Sequence, residues 1–331
     1  MNVGETKVVR AQLMHRQKRL QYVIKEFEHT QQLVHLLSEV DLALEKIDKN
    51  IFGMCETCHE PVEENHLALN PLMRNCISHL SDKEQHLLEM DLDLAYEIQN
   101  ALLPQNNFHS DGWSAAFHYE PAGPVSGDYC DLIFPEDRRN FTYFLNVDVA
   151  GKGVAASILM AHLHAIFRSL IVGDTPAHKL VERANRIFCE KTIATHFATL
   201  VCGRAGKNGE VEICNAGHCF PLLVSSGKIG CVPSTGLPIG LFRDRGYTST
   251  KLTMHPDDTL ILYTDGITEA VNTSGMHYGD DQLSKVITDH RAAAHDQILS
   301  SCLEDLNSFR QNAPRVDDIT MMVIRRDNNG R

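Results

Sequence analysis

The stretch FTYFLNVDVAGKGVAAS, residues 141–157, decides the fold. Phe141 to Val149 is apolar on both alternating faces, as a strand covered on its two sides must be. Asp148 ends the run, and Gly151 and Gly153 let the backbone turn tightly beside it. A helical pattern follows over Ala155–Val172, and a second opens past Pro176 over Ala177–Thr192. A carboxylate is thus placed at the rim of a buried sheet.

The same pairing of strand end and acid recurs along the C-terminal two-thirds of the chain. SGDYCD carries Asp128, YTDGITEA carries Asp265 after the strand LILYT, and RVDDIT carries Asp317 and Asp318 before the strand ITMMVI. Strand ends that meet in space bring such carboxylates together, and a buried cluster of like charges is costly without cations. Hard divalent ions with oxygen ligands, Mg²⁺ or Mn²⁺, remove that cost. Two ions about 3.5–4 Å apart share a water, lower its pKa and direct it in line at phosphorus, with no protein nucleophile required. No cysteine lies in a phosphate-cradling loop followed by arginine, which counts against covalent thiol chemistry.

Further strands are expected at Trp113–Tyr119, Tyr129–Phe134, Phe197–Arg204, Glu210–Asn215, Leu222–Ser225, Tyr247–Met254, Thr259–Thr264 and Ile319–Arg325. The turn Gly206–Gly209 joins two of them as a hairpin. Helices are expected at Asp280–His290 and His295–Asn312. Many antiparallel strands with a few long helices make an α+β fold of two packed sheets covered by helices.

Upstream, residues 5–49 carry two helical stripes. Val9, Leu13, Leu20, Ile24 and Phe27 form one, and Leu33, Leu37, Val40, Leu44 and Ile47 the other. One long helix and a hairpin turning near His29-Thr30 both satisfy them. Lys7 to Lys25 holds six Lys/Arg and no acid, and reads as a solvated basic face. Cys55-x2-Cys58 is followed after 17 residues by Cys76-x2-His79, a spacing that places four donors around a structural Zn²⁺. His59 and His66 are rival fourth ligands, but His79 has the matching spacing. So little apolar sequence lies between the knuckles that a staple is needed. Leu80, Leu87, Leu94 and Ala101 recur every seven residues, with Ile98 beside the seam. Either a helix packed on its own domain or a dimerising stalk fits this pattern, and Pro104 ends it. The resulting boundaries are 1–50 (helical segment), 51–80 (metal knot), 81–104 (stalk) and 105–327 (two-sheet domain).

Composition narrows the class. Of 331 residues, 43% are hydrophobic, and net charge is −12. This supports a large core and argues against a general nucleic-acid binder. No apolar run reaches about 18 residues, so no membrane span is expected. The scattered cysteines, Cys202, Cys214 and Cys302 among them, read as reduced thiols of a cytoplasmic protein.

Two resemblances follow from the quoted residues. ALEKIDKNIFGMCETCHEPVEENHLALNPLMRNC resembles the zinc-finger segment of the DksA/TraR family, with His79 standing where that family has a fourth cysteine. About 45 residues upstream give arms of only about 30 Å, which supports the zinc site more than polymerase binding. EIQNALLPQ, SGDYCDLI, DVAGKGVAASILMA, FATLV, CNAGHCFPLL, GLPIG, LILYTDGITEA and DDIT occur in the order seen in the SpoIIE/RsbU-type branch of the protein phosphatase 2C class, over about residues 97–326. That resemblance implies a four-layer αββα sandwich and a serine/threonine phosphatase using two Mn²⁺ or Mg²⁺ ions. It implies that Asp148 bridges both ions, that the Val149 carbonyl binds one, that Asp265 and Asp317 bind the other, and that Asp128 is a nearby acid. It also implies a small phosphorylated anti-sigma antagonist as substrate in a partner-switching pathway. A separate expectation is an upstream regulator acting on the N-terminal module, with the stalk carrying its signal. A transcription-associated protein docking on RNA polymerase through the finger, and a scaffold without catalysis, are the competing classes. The second is disfavoured because every expected carboxylate is present.

Flanking residues divide between plain and sharper readings. Lys152 is a solvated lysine or a phosphate contact. Asn215 and His218 form a structural turn or touch substrate. Glu269 orients a metal water or supports the start of a helix. Asp318 caps a strand, and Gly236–Gly240 is a flap or a β-turn. No counterpart of the phosphate-clamping arginine of eukaryotic relatives is evident.

Overall fold

The computed structural model describes residues 3–26, 31–63, 67, 71–104, 108–110, 112–134, 141–191 and 196–328. The chain divides into two units, Met1–Asp91 and Leu92–Arg331.

In the first unit, α1 (Val3–Glu26) packs on α2 (Gln31–Asp48). Arg10 pairs with Asp48 at 2.8 Å, and Gln17 donates to Asp41 at 2.7 Å. Partner numbers rise along one helix as they fall along the other, so the helices are antiparallel and the hairpin reading holds. Leu13 and Leu20 bury against Val40, Ala43 and Ile47. Phe27 and the expected turn at His29-Thr30 lie outside the described residues, as does His66. Arg16, Lys18, Arg19 and Lys25 are exposed. Helix α3 (Asp82–Leu102) contains the boundary between the units.

In the second unit, the described residues form two antiparallel sheets. One has six strands in the order β1 (Phe108–Ser110), β2 (Trp113–Glu120), β11 (Ile319–Arg326), β10 (Thr259–Tyr263), β7 (Leu222–Ser225), β8 (Lys228–Cys231). The other has five, in the order β3 (Asp128–Ile133), β4 (Phe141–Val149), β5 (Ala198–Gly206), β6 (Glu210–Ala216), β9 (Thr250–Thr253). Helices α4 (Val154–Leu170) and α5 (Ala177–Lys191) cover the five-stranded sheet. Helices α7 (Gly279–Asp289) and α8 (His295–Arg310) cover the other, and a short α6 (Asp265–Thr268) follows β10.

Strand periodicity assigns the layers, because alternate side chains face opposite ways. Tyr129, Leu145, Val147 and Leu200 pack under Met160, Leu163, Phe167, Leu180 and Phe188 of the helices. Ile261, Tyr263, Met321 and Val323 pack under Leu283, Ile287, Ile298 and Leu306. The intervening residues Leu132, Phe144, Val201, Leu260, Leu262, Met322 and Ile324 meet Trp113 and Ile213 between the sheets. Each such side chain contributes about 1.5–3 kcal/mol by leaving water. The architecture is therefore the expected four-layer αββα sandwich.

Two points differ from the expectation. The strand placed at Tyr247–Met254 is only Thr250–Thr253, because the Tyr247 ring fills the space under Gly236, 2.6 Å from where a Cβ would lie. Strands β1 and β8 were not anticipated. The helix placed at Ala177–Thr192 is described to Lys191, and Thr192 lies outside the described residues.

Candidate active site

The rows between the sheets turn polar at one end of the sandwich. Along β3 the inward residues run Leu132, Cys130, Asp128; along β4, Phe144, Asn146, Asp148. Along β10 they run Leu260, Leu262 and then Thr264, and along β11, Ile324, Met322, Thr320. The apolar part of each row welds the sheets together, and its polar end forms the rim. Asp128 and Asp148 are register partners on β3 and β4. Thr264 and Thr320 of the facing sheet donate to the same Asp128 oxygen, Oδ2, at 2.8 and 2.7 Å.

The other acids enter from the six-stranded sheet. Asp265 is the first residue of α6, separated from the end of β10 by Thr264 alone, rather than the last residue of a strand. Gly266 lets that turn close on β11: a Cβ there would lie 1.9 Å from the Asp318 carbonyl oxygen and 3.4 Å from the Asp317 Cβ. Adjacent aspartates then diverge. Asp317 is half-buried and takes the Lys152 ammonium at 2.9 Å. Asp318 is buried and accepts from the backbone of Ala122 (2.7 Å), the hydroxyl of Ser126 (2.6 Å) and the amide of Gly127 (3.0 Å). It is the anchor of the loop that delivers Asp128, not the strand cap anticipated from sequence.

Electrostatics bind these residues into one group. Burial pushes Asp148 up to about 7, and Asp265, Asp317 and Asp318 add to the shift while Lys152 opposes it. Burial and then the Asp148 charge hold Asp128 well above the ordinary carboxylate range, against the help of the two threonine hydroxyls. Asp265 is raised by burial, then by Glu269 and Asp317. An all-oxygen set whose members oppose one another's ionisation fits hard divalent cations. The Val149 carbonyl lies against Gly127, 2.9 Å from where a Cβ would sit, so only glycine leaves that oxygen open beside Asp128.

Supporting residues lie close by. Gln99 of α3, buried at 4% exposure, holds both backbone groups of Ser126: its Nε2 donates to the carbonyl at 2.7 Å and its Oε1 accepts from the amide at 3.0 Å. The quoted motif EIQNALLPQ contains this residue, but nothing in the sequence says what an amide there would bind. His218 is buried, with burial lowering its pKa to about 4. It contacts Asn146 (3.2 Å) and Thr199 (2.7 Å) beneath Asp148. Asn215 serves the turn through its side chain, accepting from the His218 amide at 2.8 Å, while positive φ falls to Gly217. Glu269 is at the C-terminal end of α6, not at the start of a helix. Gly236–Gly240 is no free flap: Ile239 forms a bridge with Ala198, and the Gly240 amide donates to Asn185 at 2.9 Å.

The first unit holds a separate cluster. The ligating atoms of Cys55, Cys58, Cys76 and His79 all lie within 4.8 Å of one another. Cys58 Sγ and Cys76 Sγ are 3.8 Å apart, and Cys76 Sγ is 3.1 Å from His79 Nδ1. Zinc–sulfur bonds of about 2.3 Å in a tetrahedron require sulfurs about 3.8 Å apart, so the donors fit that ion. Burial resists ionisation of Cys55, yet backbone hydrogen bonds from Cys58, Cys76 and Thr57 bring it down to about 6. Burial pushes Cys76 up to about 11, with Cys55 and Cys58 adding to the shift. A cation would relieve this opposition. His59 is outside the cluster.

Comparison with known proteins agrees with the two-sheet unit. The family model "Stage II sporulation protein E (SpoIIE)" matches residues 139–327, more than half of the chain. IcfG of Synechocystis sp. is 27% identical over 268 residues, covering 72% of this chain and 42% of that protein. "Phosphoserine phosphatase RsbU" of Bacillus subtilis is 23% identical over 246 residues, covering 73% and 72%. The chain therefore spans less than half the length of the first relative. Among solved structures, the SiaA-PP2C domain of Pseudomonas aeruginosa superposes with a TM-score of 0.64 at 19% identity, covering 74% of this chain and 98% of that one. Among the described residues no helix is long and apolar enough to cross a membrane. The chain belongs to the SpoIIE family, and its second unit has the protein phosphatase 2C-like fold.

Proposed function

We propose that the protein hydrolyses phosphoserine or phosphothreonine on a regulatory protein. The observation that carries this reading is the convergence of Asp128, Asp148, Asp265 and Asp317 on one rim of the sandwich, where their charges oppose one another. We assign two Mn²⁺ or Mg²⁺ ions to Asp148, the Val149 carbonyl, Asp265 and Asp317. Bound there, the ions supply a water of lowered pKa and positive charge for the phosphoryl oxygens. Strands β3 and β4 hold Asp128 and Asp148 on rigid backbone, and Asp318 with Gln99 fixes the loop between β2 and β3. Both threonine hydroxyls occupy Asp128 Oδ2.

The substrate is a small phosphorylated anti-sigma antagonist in a partner-switching pathway, as the relatedness to RsbU supports. Cys55, Cys58, Cys76 and His79 hold a structural zinc, and the N-terminal module receives an upstream signal. Exposed Leu87, Leu94 and Ile98 on α3 support a homodimer through that helix. The free cysteines support a cytoplasmic location. Docking on RNA polymerase is the less favoured function.

Phosphate release from a phosphoserine peptide by the full chain with Mn²⁺, beside Asp265→Asn, tests the reading. Turnover should fall at least about a hundredfold in the variant, the scale on which removing a charge-stabilising group acts. Equal turnover by the two proteins overturns the assignment.

A further inference from the structure

We infer that Lys152 is the cation that receives the substrate's phosphoryl group, an inference that rests on the phosphatase reading above. A phosphomonoester arrives as a dianion at a rim that already holds Asp128, Asp148, Asp265, Asp317, Asp318 and Glu269. Bound metal ions offset part of this charge, and a positive side chain beside them is needed to draw the substrate in.

Three basic side chains lie near the Asp317 loop. Arg315 is paired with Glu120 and donates to the Pro121 carbonyl. Arg310 is buried at 9% exposure and donates to the Ala313 carbonyl. Lys152 alone of the three takes its partner from the carboxylate group itself: Nζ lies 2.9 Å from Asp317 Oδ2 and donates also to the Val316 carbonyl. An ammonium has three donors, so one remains for an incoming oxygen. The side chain is 59% exposed, open to a macromolecular substrate. Burial and neighbouring acids raise Asp148 and Asp265, and the Lys152 charge opposes both shifts.

The backbone suits this role. Gly151 and Gly153 flank the lysine with φ of +105° and +74°, and a Cβ on either would meet nothing within 4 Å. The loop therefore stands clear of its surroundings and carries Lys152 out over the rim. Strand β4, which carries Asp148, ends at Val149 just before it and α4 begins at Val154 just after it, so both anchors of the loop are rigid. A flexible four-carbon stem on such a base can leave Asp317 and follow a phosphate without moving the carboxylates.

The test uses the full chain loaded with Mn²⁺, with Lys152→Met and Lys152→Arg. Three quantities are read: KM and kcat on a phosphoserine peptide, inhibition by inorganic phosphate, and Mn²⁺ binding by calorimetry. Lys152→Met should raise KM and the phosphate inhibition constant together by about tenfold, roughly 1.4 kcal/mol of lost contact, and raise KM by more than it lowers kcat. Mn²⁺ affinity should not fall, since a competing cation has been removed from Asp317. Lys152→Arg should recover most of both effects. An unchanged phosphate inhibition constant in Lys152→Met overturns the proposal. Mn²⁺ binding that weakens in step with activity also overturns it, since Lys152 would then support the metal site. Absence of turnover in the unsubstituted protein defeats the phosphatase reading instead, and direct calorimetry with inorganic phosphate then decides on Lys152 by itself.

Discussion

Asp128 stands directly opposite Asp148 on the neighbouring strand, and the pair faces into the gap between the sheets. Burial and the neighbouring acids set a pH dependence. Burial first, then Asp265, Asp317 and Asp318, pushes Asp148 up to about 7, whereas an unfolded chain has its aspartates near about 3.9. Between those values the folded state binds more protons than the unfolded state, so stability falls as pH rises through the window. In chelator, calorimetric melting should show this loss from about pH 4 to 7, and Asp148→Asn should flatten the profile. Mn²⁺ binding should strengthen with pH through about 7, because the carboxylate must give up its proton first.

Asp317 and Asp318 should separate function from stability. Asp318→Asn keeps one acceptor but sets an amide against the donors of Ala122, Ser126 and Gly127. It should cost about 2–3 kcal/mol in denaturant unfolding. Asp317→Asn should change stability by less than about 1 kcal/mol and still weaken Mn²⁺ binding. Equal stability losses in the two variants would contradict this division.

Arg168 on α4 makes a bidentate pair with Asp131 of β3 at 2.8 and 2.6 Å, and Tyr129 donates to the same carboxylate. The Asp131 side chain is fully buried, while that of Arg168 is 42% exposed. Arg168→Ala leaves a buried carboxylate without its cation. Because water reaches the guanidinium, the cost should be about 2–3 kcal/mol, below that of a fully buried pair. Asp131→Asn combined with Arg168→Ala should recover part of it, measured as coupling in a double-mutant cycle.

The Cys/His cluster should carry about one zinc per chain by elemental analysis. Cys55→Ala with Cys76→Ala should abolish it. Because metal capture and folding of such a knot are coupled, chelation should expose the backbone around Val62 and Leu67 to hydrogen exchange. Slow exchange there in zinc-free protein would contradict a structural ion.

Much of this architecture is legible in the residues, and the parts that are not have physical reasons. Asp148 was readable because a two-faced apolar strand ends on it and glycines follow. Helical stripes in residues 5–49 could not separate one helix from a hairpin, since both bury the same faces. Arg10–Asp48 and Gln17–Asp41 decide it, and such long-range pairs leave no local pattern. Asp318 was read as a strand cap, because its distant partners Ala122, Ser126 and Gly127 leave no local pattern beside it. Gln99 and Ser126 are 27 positions apart, and their meeting depends on where α3 packs. Strand β1 has three residues, too few for alternation to register, and β8 (KIGC) is exposed at all but Ile229, so it has no buried apolar face to alternate.

Calorimetric titration of Mn²⁺ into the full chain and into Asp148→Asn decides whether the converging aspartates hold metal. The unsubstituted protein should bind two ions per chain. The variant should lose at least one ion, together with its phosphoserine phosphatase activity. Identical stoichiometry and affinity in the two proteins would contradict metal binding there.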